Sequence, residues 1–519
     1  MKNRISVIMI ILGFLFVFGG CEDLDVKNPN NPTSEDVLSE GSNIQNLAGS
    51  VFQNWFIYNC GTVDQPGFML GGAADASTSS WGNFAMRDMA YEPRIAWNND
   101  PAYGNSASLE GWYDNMNSLL SSANDALKGI EGGDVEVPDE PMVKAVAKFG
   151  QGIALGYLSM VFDKSFIVKE DDDISQEFEL KSYKEVRQAA ISSLDEAIQI
   201  ADNNSFSIPD AWIQGTDDNY DNAWLSRMAN FMAAKILISS ARNEKETQNL
   251  NWSDILTYAQ NGLDRDYTII ADPNEWYSQY HYYNSNNIWN RVDMRIVDML
   301  DTGDIPPKWH TEYLADYTKF PNDGEIKSND NRVEEDFVYL TNQFFSPDRG
   351  YYFFSTYRYT RFDDFRESGY PGTGPITPFR KAENDYMLAE AYARTGSPGQ
   401  AQSVLNSSAR VNRGGSELEV TTTDVDKLLD IVYYERHIEL FHHNLGIQYF
   451  DMRRFGQLQK GTPTQFPIPG AELETLLMDN YTFGGAKNAG EEGAADEGWK
   501  VDYENNYGDS GPYYNFHWQ

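Results

Sequence analysis

The stretch AENDYMLAEAYARTGSPGQAQSVLNSSARVNRGG, Ala382–Gly415, decides the fold. Within it Leu388, Ala389, Tyr392, Ala401 and Leu405 fall at the tetratricopeptide intervals of large, small, aromatic, small and large, and Gly396-Ser397-Pro398 supplies the turn between two helices. Small residues stand where the two helices of one repeat cross closely, because a larger side chain would push their axes apart. A single repeat cannot bury its apolar face, so copies must stack. Two weaker copies are present. Val146, Phe149, Gly150 and Ile153 pair with Ala190, Leu194 and Ala197 across the acidic loop Lys169–Glu179, and Met232, Ala233 and Ile236 pair with Ile255, Ala259 and Gly262. Helical period also marks Ile44, Leu47, Val51 and Trp55, and then Trp112, Met116, Leu119, Leu120, Ala123 and Leu127. The expected fold is mainly α, a tetratricopeptide-like helical scaffold with a large irregular loop-rich insertion and little β structure.

The insertion is placed where this period fails. Residues 41–263 form the first part of the scaffold, residues 264–378 the insertion, residues 379–461 the second part, and residues 462–519, rich in Gly, Asn and Tyr, a loop-rich C-terminal segment. A last strong helix is expected from about Asp424 to His443.

Lys2 and Arg4 precede the apolar run Ile5–Phe18 and then Gly19-Gly20-Cys21. The run is shorter than the roughly 20 residues a bilayer-crossing helix needs, and two small residues before a cysteine suit a lipoprotein peptidase. Residues 1–20 are therefore expected to be a signal peptide, Cys21 the lipidated N-terminus, and residues 21–40, with Asn28-Pro29-Asn30-Asn31-Pro32, a tether. Acyl chains contribute about 0.8 kcal/mol per buried methylene, enough to hold the chain on a membrane. Only Cys60 then remains, so no internal disulfide is expected.

The formal charge is −38, and loss of Lys2 and Arg4 makes it more negative. Such a field repels phosphates, which excludes nucleic acid as a partner, and Arg413-Gly414-Gly415 reads as a turn. Catalysis has little to rest on. Among 78 acidic residues, paired carboxylates arise by chance. His437, His442 and His443 are expected on one helix but without the H-E-x-x-H spacing, and no G-x-S-x-G, C-x-x-C or G-x-x-x-x-G-K motif occurs. Asp217-Asp218-Asn219-Tyr220-Asp221 starts like a calcium loop but continues with Asn222 at its sixth place and Met228 at its twelfth. No cofactor and no metal site is expected, structural calcium from scattered loop oxygens being the one exception left open.

Several features together resemble the SusD/RagB family: a lipidated cysteine followed by acids and an Asn-Pro tether, tetratricopeptide-like helices, an irregular middle, the helix Glu435-Arg436-His437-Ile438-Glu439-Leu440-Phe441, the box Asp451-Met452-Arg453-Arg454-Phe455-Gly456, and Pro467-Ile468-Pro469. His442-His443-Asn444 stands where the family often has Phe-Glu-Gly-x-Arg. The resemblance implies a non-enzymatic protein of the outer membrane, lipid-anchored and exposed at the cell surface. It implies capture of oligosaccharide or polysaccharide for delivery to a SusC-like TonB-dependent transporter, with peptide capture as the alternative. A surface glycoside hydrolase and a tetratricopeptide adaptor are more distant readings. Glu435, Arg436 and Glu439, one turn apart, suit an ion-pair network on a helix surface that ties helices together.

Sugar capture needs flat aromatic faces against pyranose C–H faces and amides beside them for the hydroxyls. Aromatic residues make up 14 % of the chain. The first candidate cluster is Asp75–Phe84, with Trp81 and Asn83 as contacts. The second lies in the insertion: Trp276, Tyr277, Tyr280, Tyr282, Tyr283, Trp289 and Trp309, of which two or three are expected to face ligand while the rest form a small core. Asn284, Asn286 and Asn287 are the accompanying amides.

Overall fold

The computed structural model describes residues 38–79, 82–91, 93–133, 135–217, 219–286, 288–302, 325–341 and 355–496, and the backbone of 500–502 and 507–509. Residues 1–37, on which the expected signal peptide, Cys21 and most of the expected tether fall, lie outside the described residues, as do Trp81, Asn287 and Trp309.

The scaffold begins with α1 (Gly41–Gly49) and α2 (Val51–Phe56), followed by the short strand β1 (Ser77–Ser79) and the long helices α3 (Ala107–Gly132), α4 (Glu140–Val161), α5 (Tyr183–Asn203) and α6 (Asn222–Ser239). Their starts are local in origin. Ser182 and Glu185 form a reciprocal capping box at α5, and the Asp221 carboxylate accepts the Trp224 amide at α6. After the short α7 (Glu244–Gln248) come α8 (Trp252–Gln260) and the insertion strand β2 (Tyr267–Ala271).

Helix α4 is buried along almost its whole length, as expected of a helix that is apolar all round. Its glycines let three helices meet. A β-carbon on Gly152 would lie 2.5 Å from Leu194 Cγ on α5, and one on Gly156 would lie 2.2 Å from Ile236 Cδ1 on α6.

The insertion continues through α9 (Gln279–Asn284), β3 (Asn290–Val292), β4 (Phe337–Tyr339), β5 (Tyr357–Tyr359) and β6 (Gly374–Phe379). Strands β2 and β6 pair antiparallel, Tyr267 opposite Phe379, so the segment leaves and rejoins the scaffold at one two-stranded ladder. Strands β4 and β5 pair within it, and β3 pairs with β1. Every sheet among the described residues has two strands, so the fold is mainly α.

Beyond β6 lie α10 (Lys381–Arg394), α11 (Pro398–Ser407), α12 (Val425–Ile438) and α13 (Ile447–Arg454). Helices α3, α4, α5, α6, α8, α10 and α11 pack in that succession, which is the stacked-repeat arrangement read from the helical period. Ala389, Ala401 and Leu405 are fully buried where α10 and α11 cross.

Two expectations are corrected here. Helix α12 stops at Ile438, so His442 and His443 are not on it, and His442 takes a left-handed φ of 50° in the turn that follows. The signature charges are also interior, not on a helix surface. Arg332 bridges Asp330 and Glu435 at 2.7 Å each, Arg410 reaches Glu435 at 2.8 Å, and Arg413 and Arg361 reach Glu439 at 2.7 and 3.0 Å. Burial alone would raise the Glu439 carboxyl, but Arg361, Arg332, Arg413 and Arg380 hold it down to about 2. A second buried chain runs Arg436–Asp451–Arg454–Glu390 and ties α12 and α13 to α10.

Candidate functional site

Local ladders bring the two aromatic clusters of the sequence together. Ser77, Thr78 and Ser79 of β1 stand opposite Val292, Arg291 and Asn290 of β3, and Thr78 Oγ1 donates to Asp293 Oδ2 at 2.7 Å. The early loop that follows β1 therefore lies against the insertion, although more than 200 residues separate them.

Helix α9 sorts its residues by face. Ser278 caps it, accepting the His281 amide, and its hydroxyl also meets His281 Nδ1 at 2.7 Å. Tyr280, Tyr283 and Asn284, spaced i, i+3, i+4, are buried, while Gln279 and Tyr282 face outward. Behind α9 stands a column of buried histidines. His281 Nε2 meets the His443 carbonyl at 3.2 Å, Arg380 Nε donates to His443 Nδ1 at 3.0 Å, and Asn290 Nδ2 bridges Asn284 Oδ1 at 2.7 Å and His442 Nε2 at 3.4 Å. Burial lowers His281 to about 4, with Arg380 acting in the same direction, and lowers His442 to about 3. All of these rings are neutral near pH 7 and serve as hydrogen-bond wiring.

On the outer side of this column lies a cavity of about 380 Å³, lined by Val63, Asn83, Phe84, Gln279, Tyr282, Tyr283, Trp289 and Tyr370. Tyr283 forms its floor, with Trp289 stacked on it at 4.8 Å and 30° between the ring planes. Phe84 meets Tyr283 edge-on at 5.4 Å. Tyr370 stands edge-on to Tyr282 at 5.0 Å and is 65 % exposed. Burial pushes the Tyr283 phenol up to about 12, so the floor carries no charge. None of the described lining residues is charged, and Asn83 and Gln279 are the amides among them. Phe84 and Ala85 hold left-handed φ values of 54° and 55°, a costly conformation for two successive non-glycine residues.

The sequence candidates divide accordingly. Asn83, Tyr282, Tyr283 and Trp289 line the cavity. Trp276 and Tyr280 do not: they are 3 % and 2 % exposed, packed at 5.7 Å on Phe56 and 5.2 Å on Phe68, because the insertion needs its own core. Tyr277 is half-buried and away from the lining. Asn284 is consumed by Asn290, and Asn286 caps a turn by accepting the Ile288 amide at 3.0 Å. The sequence reading missed Phe84, Gln279, Tyr370 and Val63 as contacts. Tyr370 carried a signal, an aromatic between Gly369 and Pro371-Gly372, where a turn leaves a ring exposed.

The calcium-like stretch is used structurally. Asp217 pairs with Arg265 at 3.2 Å, and Asp221 caps α6. Among the described residues no group of three or more His, Cys, Asp or Glu is arranged to hold a metal, and no helix is long and apolar enough to cross a membrane. Cys60 is buried and free.

A family model described as the SusD family matches residues 256–515, half of the chain. Solved structures share the fold. A SusD superfamily protein from Parabacteroides distasonis ATCC 8503 aligns with TM-score 0.57 at 15 % identity, covering 86 % of this chain and 98 % of its own. A SusD-like carbohydrate binding protein from Bacteroides vulgatus ATCC 8482 aligns with TM-score 0.55 at 14 % identity over 92 % and 94 %. Another SusD-like carbohydrate binding protein, from Bacteroides fragilis NCTC 9343, gives 0.55 at 15 % over 80 % and 86 %. No curated protein matches the chain in sequence. At these identities the structural likeness is one of fold.

Proposed function

Because the chain belongs to the SusD family, we propose that it is a non-catalytic, lipid-anchored protein of the outer membrane that captures oligosaccharide and passes it to a SusC-like TonB-dependent transporter. One observation carries the reading: a cavity of about 380 Å³ whose described lining is uncharged and aromatic, with Phe84, Tyr282, Tyr283, Trp289 and Tyr370 on its walls. Its size is within the range of small-ligand sites. Ring faces gain contact with sugar C–H groups, and the Asn83 and Gln279 amides offer both donors and acceptors to hydroxyls. The described lining residues include no carboxylate, which suits a neutral ligand better than acid–base chemistry. Two structural relatives bearing the words carbohydrate binding add weight to glycan over peptide. Cys21 supplies the anchor in this reading.

Calorimetry against neutral oligosaccharides and against peptides tests it. Tyr370→Ala, at an exposed ring, should weaken glycan binding by up to about tenfold while leaving the unfolding midpoint in place. Saturable peptide binding without any glycan binding would replace the reading with peptide capture. Co-purification of a large outer-membrane barrel tests delivery, and loss of membrane fractionation in Cys21→Ser tests the anchor.

A further inference from the structure

A second cavity, of about 490 Å³, lies between α5 and α7 and shares no residue with the aromatic one. Its lining is Lys184, Arg187, Asn243, Lys245, Glu246, Asn249 and Leu250. Three cations therefore meet one carboxylate, in a chain whose formal charge is −38.

That carboxylate is already engaged. Glu246 takes Lys184 at 3.0 Å, the Tyr183 hydroxyl at 2.6 Å and the Arg242 amide at 2.9 Å. Arg242 itself is spent on the carbonyls of Ser159, Met160 and Phe162 at the end of α4. Arg187, by contrast, makes one neutral contact, donating to Ser240 Oγ at 3.1 Å, and no carboxylate among the described residues pairs with it. Lys245 has no ion pair among them either. The neighbouring acids face elsewhere: Glu244 accepts the Gln248 amide at 3.1 Å, and Glu185 closes the α5 capping box on Ser182. Burial lowers the Arg187 guanidinium from its ordinary range, with Tyr183 and Glu246 opposing only in part. A half-buried guanidinium with four unused N–H groups on a cavity wall is an arrangement that suits an oxyanion able to accept two hydrogen bonds side by side.

We propose that this cavity is a second binding site, for a small molecule carrying one oxyanion, whether carboxylate, sulfate or phosphate, with Arg187 gripping the anion and Lys184 and Lys245 supplying charge from the rim. The overall negative field sets the size of the ligand. A polyanion would be repelled by the rest of the surface, whereas a small solute with one anionic group meets mainly the local excess of positive charge. Asn243 and Asn249 add polar atoms for whatever carries the anion. The proposal does not depend on what the aromatic cavity binds.

Isothermal titration of the purified protein with sodium sulfate and with sodium glucuronate, at low and high sodium chloride, tests it. Saturable binding that weakens with salt is expected. Arg187→Gln should reduce affinity about tenfold or more and Lys245→Gln several-fold. Lys245 is exposed, so its variant should fold even if the Arg187 variant does not. Preference for sulfate would identify a free inorganic anion as the source, and preference for glucuronate an acidic sugar; either supports the site. Absence of saturable binding by both anions, affinity unchanged in folded variants, or displacement of bound sulfate by glucose would each overturn it.

Discussion

Lowering the pH from 7.5 to 5 should destabilise this protein, and the buried histidines set the size of the effect. The four imidazoles of His281, His437, His442 and His443 are fully buried, and in each the protonated form is disfavoured first by burial. Neighbouring charges reinforce the effect, Arg380 at His281, Arg380, Arg361 and Lys235 at His443, Arg295 and Arg436 at His437, and His281 at His442, while the His443 carbonyl at His281 and the Tyr433 carbonyl at His437 oppose it only in part. Their folded pKa values therefore lie below the unfolded value of 6.5, at about 4 for His281 and about 3 for His442. As pH falls below 6.5 the unfolded chain takes up protons that the folded chain refuses. Stability is complete above that pH and is lost progressively until the folded values are reached. Each such histidine costs about 1.4 kcal/mol per pH unit, so at pH 5 His281 and His442 together remove about 4 kcal/mol. A domain's total stability is roughly 5–15 kcal/mol. Asp293 opposes the trend, since burial and the charge of Asp75 raise its carboxyl and favour the protonated folded form. Carboxylates held low, such as Glu439, contribute to acid loss only below about pH 4.5. Urea unfolding followed by tryptophan fluorescence at stepped pH measures the slope, and His442→Gln should reduce it by about one proton. A midpoint constant from pH 7.5 to 5, or a slope unaltered in a folded His442→Gln protein, would refute the reasoning. Because His281, on α9 beside Tyr282 and Tyr283, stays neutral in the folded protein down to about pH 4, glycan affinity of the folded fraction is expected to hold constant across this range.

Glu435→Ala removes the carboxylate shared by Arg332, Arg410 and the Tyr386 hydroxyl, leaving the buried Arg410 without its carboxylate and Arg332 with Asp330 and Glu439 alone. A loss of about 3–5 kcal/mol in chemical denaturation, or no folded protein, is expected. Gly156→Ala forces a methyl to within 2.2 Å of Ile236 Cδ1 and should cost about 1–3 kcal/mol, read as a lower melting temperature. Ala85→Gly relieves a left-handed φ of 55° and should stabilise by about 1 kcal/mol in the same assay.

The scaffold was legible because its signals are local. A period of 3.6 with small residues at crossings marks α4, α5, α6, α8, α10 and α11 without knowledge of any partner, and Ser182 and Asp221 announce two helix starts. The ionic interior was not. Glu435 and Glu439 read as an exposed pair one turn apart, and their arginines come from positions 332, 361, 410 and 413, which no spacing rule connects to α12. The same limit explains the end of α12. Nothing in His442-His443-Asn444 forbids helix, and the turn is imposed by what it packs on, with Asn444 Nδ2 donating to the Pro378 carbonyl and His443 meeting Arg380.

For the site the limit falls differently. Loss of helical period located the insertion, but the abundance of aromatic residues within it could not separate rings that fill a core from rings that face solvent. The i, i+3, i+4 test applied to Gln279–Asn284 would have done so, assigning Tyr280 and Tyr283 to one face and Gln279 and Tyr282 to the other. Convergence of residues 63, 83–84, 279–289 and 370 depends on two ladders that are invisible in local pattern, β1 with β3 and β2 with β6. The first of these is three residues long on each side, with all six buried, and it pairs the early loop with the insertion. Thr78→Val keeps the side-chain shape and removes the hydroxyl that reaches Asp293, which should cost about 1–3 kcal/mol through the stranded carboxyl. If the cavity is assembled by that ladder, glycan affinity should fall in the folded Thr78→Val protein although no ligand-facing residue has changed. Unaltered affinity would mean that Phe84 and Asn83 are held by the insertion's own packing and not by β1.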